Sequence, residues 1–336
     1  MRAHRNMFKY SILLVLLLFL SPSNVSGWWW NDDYQCDDVY EDGTIKVMTI
    51  NLLFSEIVER DRRLSDIAEF AANNGIHVIL LQEVVGGLLV GTQNSAKDLQ
   101  DFLESLGLNY NLKTAFETGL PGLLAVANAV LSRCEIKFSL VKRLSRATEI
   151  EFDGRIIKLP RNVQMVRLKV PGRGRISIYN THWCAGCPPE ELAVHWQETF
   201  KFVNNVESFL GEGRVILGGD FNLDRLRTDI EEDLYDAIIY DQEFKDAYAD
   251  LIIDNSVGSE TLDTLCEDKD NPDEHCTVDV TPFGGPGSRR IDYLFIRNLG
   301  DAIGAQVAFT PFNIVCPACP DPVSDHAAVV MSVNLN

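Results

Sequence analysis

The chain has 336 residues, of which 46% are hydrophobic, so it is long and apolar enough to form a full globular core. Its 49 acidic residues outnumber its 30 basic ones and give a net charge of −19. An acidic surface repels polyanions at long range and argues against tight, sequence-independent nucleic-acid binding, although a cation bound in a cleft can reverse the local sign.

The first 27 residues have the pattern of a secretory signal peptide. A basic stretch precedes the apolar run 12–20, and small residues follow up to position 27. The run is shorter than the ~20 residues of a membrane-spanning helix, so cleavage is favoured over an uncleaved anchor. Cleavage removes three of the 30 basic residues and no acidic one, which moves the net charge to about −22. We therefore expect a secreted protein without a transmembrane helix, with an N-terminal segment 28–43 and one domain from 44 to 336.

Short strands alternate with helices along this domain. Apolar residues at helical spacing predict helices at residues 62–72 and 190–210. Runs of β-branched and apolar residues predict strands at 45–50, 77–81, 125–131, 163–170, 175–179, 215–217, 290–296 and 327–333. This order predicts an α/β fold in which two packed sheets are flanked by helices.

Eight cysteines follow the predicted signal peptide, and an even number favours disulfide bonds in a secreted chain. Two pairs have Cys-X-X-Cys spacing, at 184/187 and at 316/319. Local disulfides, or bridges between the two pairs, are favoured over a zinc site of four thiolates. The cysteines at 266 and 276 are expected to close an acidic loop, whereas the pairing of those at 36 and 134 cannot be read from the sequence.

Three other features have open interpretations. The loop 266–276 contains five acidic residues, and a solvated loop is favoured over a calcium site because EF-hand spacing is absent. The three tryptophans at 28–30 are favoured to pack onto the domain, with peripheral membrane contact as the alternative. His77 and His195 are interpreted as satisfied core histidines.

Polar side chains that can bind a metal or move a proton stand at the ends of predicted strands or within them. Adjacent strands of a sheet bring their ends to one rim, so these side chains are expected to converge. The set is Asn51, Glu83, His182, Asp220, Asn222, Asp292, Asp325 and His326. Hard oxygen ligands suit Mg²⁺, Mn²⁺ or Ca²⁺, and histidines without paired cysteines suit proton transfer better than structural zinc.

Seven short motifs, in this order, resemble those of the endonuclease/exonuclease/phosphatase superfamily, which includes pancreatic-type deoxyribonucleases and neutral sphingomyelinases. The motifs are TINL at 49–52, LQEV at 81–84, NAVLSR at 128–133, NTH at 180–182, GDFN at 219–222, RIDY at 290–293 and SDH at 324–326. The resemblance covers about 45–333. It implies a four-layer α/β sandwich, with 44–336 as the catalytic domain of a metal-dependent phosphodiesterase. A monomer is expected.

The resemblance assigns the metal site to three residues. It implies that Glu83 is the metal carboxylate, that Asn51 lies beside it, and that Asp325 supports the site. Mg²⁺ or Mn²⁺ is the expected cofactor, with Ca²⁺ as an alternative. A metal screens the charge of a phosphate diester and steadies the leaving oxygen, so no nucleophilic serine or cysteine is required.

The resemblance also assigns the catalytic roles. Asp220 and Asn222 are expected to hold the scissile phosphate and the attacking water. His326 is expected to be the general base, with Asp292 fixing its tautomer. His182 is expected to contact the phosphate and to stabilise or protonate the leaving oxygen. The dipeptide Ser132-Arg133 is interpreted as a structural element at a strand end that helps to frame the cleft.

The sequence leaves open which phosphate ester is cleaved. Nucleic acid is slightly favoured, although the net acidity argues against it, and Val85 stands where the resembled pancreatic-type enzymes have a DNA-contacting arginine. Sphingomyelin or another phospholipid is the alternative substrate. A catalytically silent binding module with the same fold is the alternative of a different class.

Overall fold

The computed structural model describes residues 36–52, 59–88, 91, 94–120, 124–152, 155–211, 213–225, 227–253, 277–279, 288–309 and 323–335. The chain divides into two compact units, Met1–Asp33 and Tyr34–Asn336, and every described residue belongs to the second. The predicted signal peptide, the tryptophans at 28–30, the acidic loop 266–276 and the cysteines at 316 and 319 lie outside the described residues.

Strands make up most of the described chain. In order they are β1 (Thr44–Asn51), β2 (Val78–Gly86), β3 (Asn111–Leu120), β4 (Leu124–Ser132), β5 (Glu135–Phe152), β6 (Arg155–Val170), β7 (Gly174–His182), β8 (Val215–Asp220), β9 (Lys245–Asp246), β10 (Val278–Asp279), β11 (Ser288–Arg289), β12 (Asp292–Arg297), β13 (Ala302–Ala308) and β14 (Ala328–Asn334). The helices are α1 (Asp37–Asp42), α2 (Arg60–Asn74), α3 (Ser95–Ser105), α4 (Pro189–Leu210) and α5 (Asp229–Ile239), followed by a π-helical turn at Ala249–Ile253.

Two six-stranded sheets form the centre of the fold. The first has the order β13-β14-β1-β2-β4-β3 and the second the order β5-β6-β7-β8-β12-β9, with β10 and β11 as a separate ribbon. Both sheets are mixed, because β1 with β2 and β7 with β8 are parallel while the other neighbours are antiparallel. The central strands read as apolar runs because both of their faces are covered.

Apolar clusters hold the layers together in three places. One cluster lies between the sheets, a second packs α2 and α3 on the outer face of the first sheet, and a third packs α4 and α5 on the second sheet. Each fully buried aliphatic side chain contributes about 1.5–3 kcal/mol. The result is the predicted order of helices, sheet, sheet and helices.

The predicted elements are all present, but several others escaped prediction. These are α1, α3, α5, β3, β5, β13, the first half of β6, the two-residue strands β9, β10 and β11, and the π-helical turn. The strands β5 and β6 pair with each other over most of their length, and β5 is exposed at several apolar and basic positions. A solvated ribbon of this kind has no continuous apolar run, so hydrophobic patterning does not reveal it.

Helix starts that the patterns missed have local caps. The Asn94 side chain accepts a hydrogen bond from the Lys97 backbone N–H at the start of α3. The Thr228 hydroxyl does the same for the Glu231 N–H at α5. These bonds satisfy backbone donors that have no partner within the helix, which stabilises each helix by roughly 1 kcal/mol.

Two disulfides are present among the described residues. Cys36 and Cys134, 98 residues apart and both fully buried, join the start of α1 to the end of β4. Cys184 and Cys187 form a local bridge, which confirms the local disulfide at this Cys-X-X-Cys pair and removes it from any zinc site. None of the helices in the described part of the chain has the length and apolar composition that a bilayer crossing requires.

Candidate active site

Strand register places three of the predicted residues side by side. β8 lies in the middle of the second sheet and ends at Asp220. His182 of β7 pairs with Asp220 on one side, and Asp292 of β12 pairs with it on the other. β8 is buried at every position, and its pairing with β7 and β12 fixes the three side chains at the same level of the sheet.

Gly219 lets the backbones of β7 and β8 approach closely next to Asp220. Its φ of +136° lies in a region that side-chain-bearing residues rarely adopt, and a Cβ at this position would collide with the Thr181 carbonyl oxygen. A glycine at position 219 is therefore required for the close approach of β7 and β8 beside Asp220.

The first sheet contributes Asn51 and Glu83 to the same rim. The Asn51 side-chain amide donates to Asp220 Oδ2 at 3.1 Å across the two sheets. Glu83 Oε1 lies 3.9 Å from His182 Nε2. Glu83 sits at a register shift of β2 with φ of +54°, a conformation that costs about 1–3 kcal/mol and is concentrated at functional sites.

A buried amide network joins the two sheets below this rim. Gln82 Nε2 donates to Asn180 Oδ1 at 2.7 Å, and Asn180 Nδ2 donates to the carbonyl oxygens of Leu81 and Ala129 at 2.9 Å each. These bonds hold the strands that carry Glu83 and His182 in a fixed relation. Gln82 and Asn180 belong to the sequence motifs, but their structural role could not be predicted because each bonds a residue that is distant in the chain.

His326 and Asp292 form a buried pair. His326 Nδ1 lies 2.8 Å from Asp292 Oδ2, and the His326 backbone N–H donates to Ser324 Oγ at 3.2 Å. Burial alone would lower the pKa of His326, but the carboxylates of Asp292, Asp325 and Asp220 outweigh it and hold the pKa well above its ordinary value. The three carboxylates therefore favour the protonated form of the ring, and Asp292 orients it.

His182 has the opposite electrostatic surroundings. Its Nε2 lies 3.4 Å from Asp220 Oδ2, and its Nδ1 has no hydrogen-bond partner among the described residues. Burial, reinforced by the positive charges of Arg161 and His326, holds the pKa of His182 well below its ordinary value. This imidazole is neutral at neutral pH and can offer an N–H as a hydrogen-bond donor.

Asp220 lies between the two histidines. Burial and the negative charge of Asp292 raise the pKa of Asp220 to about 7, although His326 opposes this. Its Oδ1 accepts from the Asn222 backbone N–H at 2.9 Å, and Asn222 Nδ2 donates to the Trp183 carbonyl oxygen at 3.1 Å. Asn222 adopts φ of +47°, so it and Glu83 both have left-handed backbones. Two residues with unusual backbones in one pocket favour a functional site.

Asp325 lies at the same rim. The Ser324 hydroxyl donates to the Asn51 carbonyl oxygen at 2.6 Å, and its oxygen lies 3.2 Å from Asp325 Oδ1. Burial raises the pKa of Asp325, helped by the charge of Glu83 and opposed by His326. These hydrogen bonds, short distances and charge effects bring all eight predicted residues together at one rim.

The donor set fits a divalent cation. Asp220, Asp292 and His326 each offer a ligand atom within 4.8 Å of the other two. Asp292 Oδ1 is buried without a hydrogen-bond partner among the described residues, and the adjacent buried carboxylates repel each other. A hard cation relieves this repulsion. This cluster differs from the predicted metal set of Asn51, Glu83 and Asp325, whose role stays a prediction.

Thr277 is a site residue that sequence patterns missed. Its Oγ1 accepts from the backbone N–H groups of Ile291 at 3.0 Å and Asp292 at 3.2 Å, and its carbonyl oxygen accepts from Ala327 N at 2.8 Å. Thr277 thus joins the strand of Asp292 to the residue after His326. A threonine next to a cysteine gives no local signal of this role.

Arg161 and Glu117 form a buried ion pair close to the catalytic residues, and the sequence did not indicate it. Arg161 Nη1 lies 3.4 Å from Glu117 Oε2, and Arg161 also donates to Thr148 Oγ1. Thr148 Oγ1 in turn accepts from Ala185 N at 3.0 Å, in the loop after His182. Burial raises the pKa of Glu117 to about 7, against the lowering effect of Arg161.

Two interpretations outside the catalytic set can be compared with the structure. Ser132 pairs with Val78 at the start of β2, at the far end of that strand from Glu83, so the expectation that the step 132–133 frames the cleft is wrong. Strand direction decided this, and the motif alone could not. His77 is buried and accepts from Lys46 N. His195 is buried too, but its ring nitrogens have no hydrogen-bond partner among the described residues.

Comparisons with known proteins agree with this architecture. A sequence model of the endonuclease/exonuclease/phosphatase family matches residues 48–326, and the chain belongs to this family. Members of this family hydrolyse phosphate esters, generally with a divalent metal, and act on phosphodiester substrates such as nucleic acid. No curated protein matches the chain at a significant level.

Solved structures share the fold at low sequence identity. An endonuclease/exonuclease/phosphatase from Beutenbergia cavernae DSM 12333 is 18% identical over 87% of this chain and 72% of that chain, with a TM-score of 0.60. A family protein from Leptotrichia buccalis is 21% identical over 86% and 99%, with a TM-score of 0.56. TDP2 of D. rerio, complexed with a single-strand DNA product, is 15% identical over 87% and 99%, with a TM-score of 0.51.

Proposed function

We propose that this chain is a secreted, divalent-metal-dependent phosphodiesterase that cleaves nucleic acid by in-line attack of water. One observation carries the proposal. A histidine–aspartate pair and a second, neutral histidine flank Asp220 in a single pocket, with His182 Nε2 at 3.4 Å and His326 Nε2 at 3.9 Å from Asp220 Oδ2. The DNA complex of D. rerio TDP2, which has the same fold, supports nucleic acid as the substrate class.

Carboxylates of the pocket would hold the proposed cation. Asp220 and Asp292, whose ligand atoms lie within 4.8 Å of each other, are the negative groups that would hold it, and Glu83 adds a carboxylate at the same rim. Mg²⁺ or Mn²⁺ suits their oxygen atoms. When bound, such an ion neutralises negative charge on the phosphate and on the leaving oxygen. The strained backbone of Glu83 is consistent with a side chain held in place for this purpose.

His326 is the proposed general base. The ring acts in its neutral form, which a cation bound to the neighbouring carboxylates would favour by offsetting their charge. A water molecule within reach of Nε2 transfers its proton to this nitrogen as its oxygen attacks phosphorus and the bond from phosphorus to the leaving oxygen breaks. Asp292 stabilises the imidazolium that forms and keeps the ring in the tautomer that leaves Nε2 free. No covalent intermediate is needed.

The phosphate is proposed to bind to His182 and to the side-chain amides of Asn51 and Asn222. The neutral His182 ring donates an N–H to a phosphate oxygen or to the leaving oxygen, and its low pKa makes it a donor without a net charge. Asn51 and Asn222 add side-chain amide groups next to Asp220. Since bonds between the sheets hold these groups before substrate arrives, little reorganisation is required in the reaction.

A phospholipid is the second candidate substrate. Phe138, Leu140, Val141 and Ile156 of β5 and β6 are apolar and exposed. Exposed apolar side chains favour contact with a lipid surface. A catalytically silent module with this fold predicts that no phosphate ester is turned over.

A parallel turnover assay separates these possibilities. Plasmid DNA, RNA, sphingomyelin vesicles and bis-p-nitrophenyl phosphate are each incubated with the purified secreted chain and Mg²⁺ or Mn²⁺. We expect cleavage of nucleic acid and of the small diester. Preferential hydrolysis of sphingomyelin would replace the proposed substrate, and turnover of none of the four would favour the silent module.

Metal removal tests the cofactor. We expect EDTA to abolish cleavage of bis-p-nitrophenyl phosphate, because the buried carboxylates lose the charge that screens the diester. Excess Mg²⁺ or Mn²⁺ should restore the rate. Undiminished turnover after exhaustive chelation would rule out the metal mechanism.

A further inference from the structure

A four-residue loop closed by a disulfide follows the strand that carries His182. β7 ends at His182, Trp183 comes next, and the bridge joins Cys184 to Cys187. A covalent link restricts the conformations that are open to the backbone it closes. The proposed mechanism gives this bridge no role, although it lies two residues from a phosphate-binding histidine.

The Trp183 carbonyl oxygen connects this loop to Asn222. Asn222 Nδ2 donates to that oxygen at 3.1 Å, and Asn222 is one of the amides proposed to bind the phosphate. The carbonyl oxygen belongs to the planar peptide between Trp183 and Cys184, so its direction depends on the orientation of that plane. The residue that begins the disulfide loop therefore helps to orient the Asn222 amide.

The peptide plane between Trp183 and Cys184 is restrained from both sides. On the N-terminal side, the Trp183 N–H donates to the Asp220 carbonyl oxygen at 2.9 Å, and the Trp183 side chain is fully buried. On the C-terminal side, Cys184 is also fully buried and is covalently bound to Cys187. Opening the bridge removes the covalent restraint and allows the plane to rotate.

β5 and β6 supply a second restraint on the loop. They extend past the end of β7, since Thr181 pairs with Val163 and β6 begins eight residues before that position. In this extension Thr148 Oγ1 accepts from the Ala185 N–H at 3.0 Å and from Arg161 Nη2 at 2.9 Å. Ala185 lies between the two cysteines, so Thr148 holds the middle of the closed loop.

The bridge is accessible to a reductant through Cys187. This residue is partly exposed and lines a cavity of about 470 Å³ formed by the loop, β5, β6 and the start of α4. A thiolate that enters the cavity can attack Cys187 Sγ and release the sulfur of Cys184. Both cysteines of the Cys36–Cys134 bridge are fully buried. Of the two described bridges, reduction of the folded protein is therefore expected to open Cys184–Cys187 first.

We propose that the Cys184–Cys187 bridge is a positioning element for Asn222, which it orients through the Trp183 carbonyl oxygen. This inference rests on the proposed function, in which Asn222 binds the phosphate. Reduction by a dithiol transfers two electrons and two protons to the bridge, which gives two cysteine thiols while the reagent becomes a disulfide. The Trp183 carbonyl then loses its fixed direction, and hydrolysis slows although the fold remains.

The first test removes each described bridge by substitution. The site variant is Cys184→Ala with Cys187→Ala. The control is Cys36→Ala with Cys134→Ala, whose bridge lies at the end of β4 that is remote from Glu83. We expect the site variant to lower kcat on bis-p-nitrophenyl phosphate about tenfold, because a phosphate-binding group is misplaced. The control should keep kcat within about twofold of the wild type even though its melting temperature falls.

Coupling to Asn222 separates positioning from a general structural role. The wild type and the site variant are each combined with Asn222→Ala, which removes the amide that donates to the Trp183 carbonyl oxygen. We expect loss of the bridge to lower kcat less than about threefold in the Asn222→Ala background, against about tenfold in the wild type. Equal losses in the two backgrounds would overturn the proposal, because the bridge would then support the fold and not the amide.

Reversible reduction tests the same bridge without a substitution. The wild type is treated with dithiothreitol in excess Mg²⁺, and alkylation followed by mass spectrometry identifies the cysteines that have become reactive. We expect kcat to fall as Cys184 and Cys187 become reactive and to recover on reoxidation, while the site variant shows no such change. A wild type whose bridge opens without loss of kcat would contradict the proposal, as would a site variant that is equally sensitive.

A structural readout distinguishes failure of this inference from failure of the proposed function. In protein that carries isotopically labelled asparagine, the nuclear magnetic resonance signals of the Asn222 side-chain amide are assigned by their loss in Asn222→Ala. We expect these signals to shift in the site variant, whether or not the protein hydrolyses a phosphate ester. Unshifted signals would overturn the positioning role, whereas failure of the wild type to hydrolyse the small diester would contradict the proposed function.

Discussion

The two sides of the candidate site shift the pKa of a histidine side chain in opposite directions. On one side, His326 is bonded to Asp292 and surrounded by carboxylates, which raise its pKa. On the other side, His182 is buried beside Arg161 with Nδ1 unpartnered among the described residues, and its pKa is lowered. Opposite shifts on either side of Asp220 give one ring a high affinity for a proton and keep the other neutral, as a hydrogen-bond donor without a net charge.

The largest expected effect comes from the side that accepts the proton. We expect His326→Gln to lower kcat on bis-p-nitrophenyl phosphate by about 10³-fold, because an amide cannot act as a base. Asp292→Asn should cause a smaller loss, since the ring remains but its imidazolium is no longer stabilised. Both rates are measured at saturating Mg²⁺, with circular dichroism as the control for folding.

A smaller effect is expected on the donor side. His182→Gln keeps a side-chain N–H, so we expect kcat to fall about tenfold, whereas His182→Leu removes the donor and should cost about 10²-fold. The ratio between the Gln and Leu variants is the informative measurement. If His182→Gln were as inactive as His326→Gln, the assignment of different roles to the two rings would be wrong.

The next prediction concerns Thr277, which supports the His326 side. Thr277→Val preserves the shape but leaves the N–H groups of Ile291 and Asp292 without their acceptor. We expect a loss of about 1–3 kcal/mol in the free energy of unfolding. The kcat should fall up to about tenfold, because the Asp292–His326 pair loses its support.

Thr277→Ser provides the matched control, since it retains the hydroxyl group. Its kcat and melting temperature should stay close to those of the wild type. A Ser variant as impaired as the Val variant would show that packing of the methyl group, and not the hydrogen bonds, explains the effect.

The smallest expected effect on activity comes from a histidine whose pKa is lowered outside the catalytic set. Burial, with the charges of Arg161 and Arg146, lowers the pKa of His195 to about 3. Between about pH 6.5 and pH 3 the unfolded chain binds a proton that the folded chain does not, so stability falls as the pH falls. At pH 4 the cost is about 3 kcal/mol.

His195→Leu removes this proton linkage. Urea unfolding at pH 7 and pH 4 should show that the variant loses less stability on acidification than the wild type. Its turnover at pH 7 should stay within about threefold of wild type. An unchanged pH dependence of stability would mean that His195 does not remain neutral in the folded protein. The comparison separates a low pKa that serves catalysis, as proposed for His182, from one that has no catalytic role.

Much of the site could be predicted because its chemistry is local in sequence. Asn51, His182 and Asp220 each follow an apolar run, and an apolar run of that length is a strand whose end reaches a sheet rim. Glu83 also follows such a run, but it lies within β2 at a register shift. The paired glycines before Asp220 likewise mark a close backbone approach. These signals need no partner from elsewhere in the chain.

Residues whose role depends on a distant partner could not be predicted. Thr277 accepts hydrogen bonds from the backbone N–H groups of Asp292 and Ala327. Glu117 forms an ion pair with Arg161, and Gln82 donates a hydrogen bond to Asn180. The pairing of Cys36 with Cys134 depends on α1 meeting the end of β4, across 98 residues.

The sequence by itself determined which side chains carry the chemistry and that they lie on or next to strands. Both could be read because residue type and hydrophobic periodicity are local properties. Only the tertiary structure decided which strand ends meet, that Ser132 lies at the wrong end, and that β5 and β6 project past His182. Tertiary structure also decided the opposite pKa shifts of the two histidines. A pKa depends on burial and on charges within a few ångströms, and those are set by strand register and packing between the sheets.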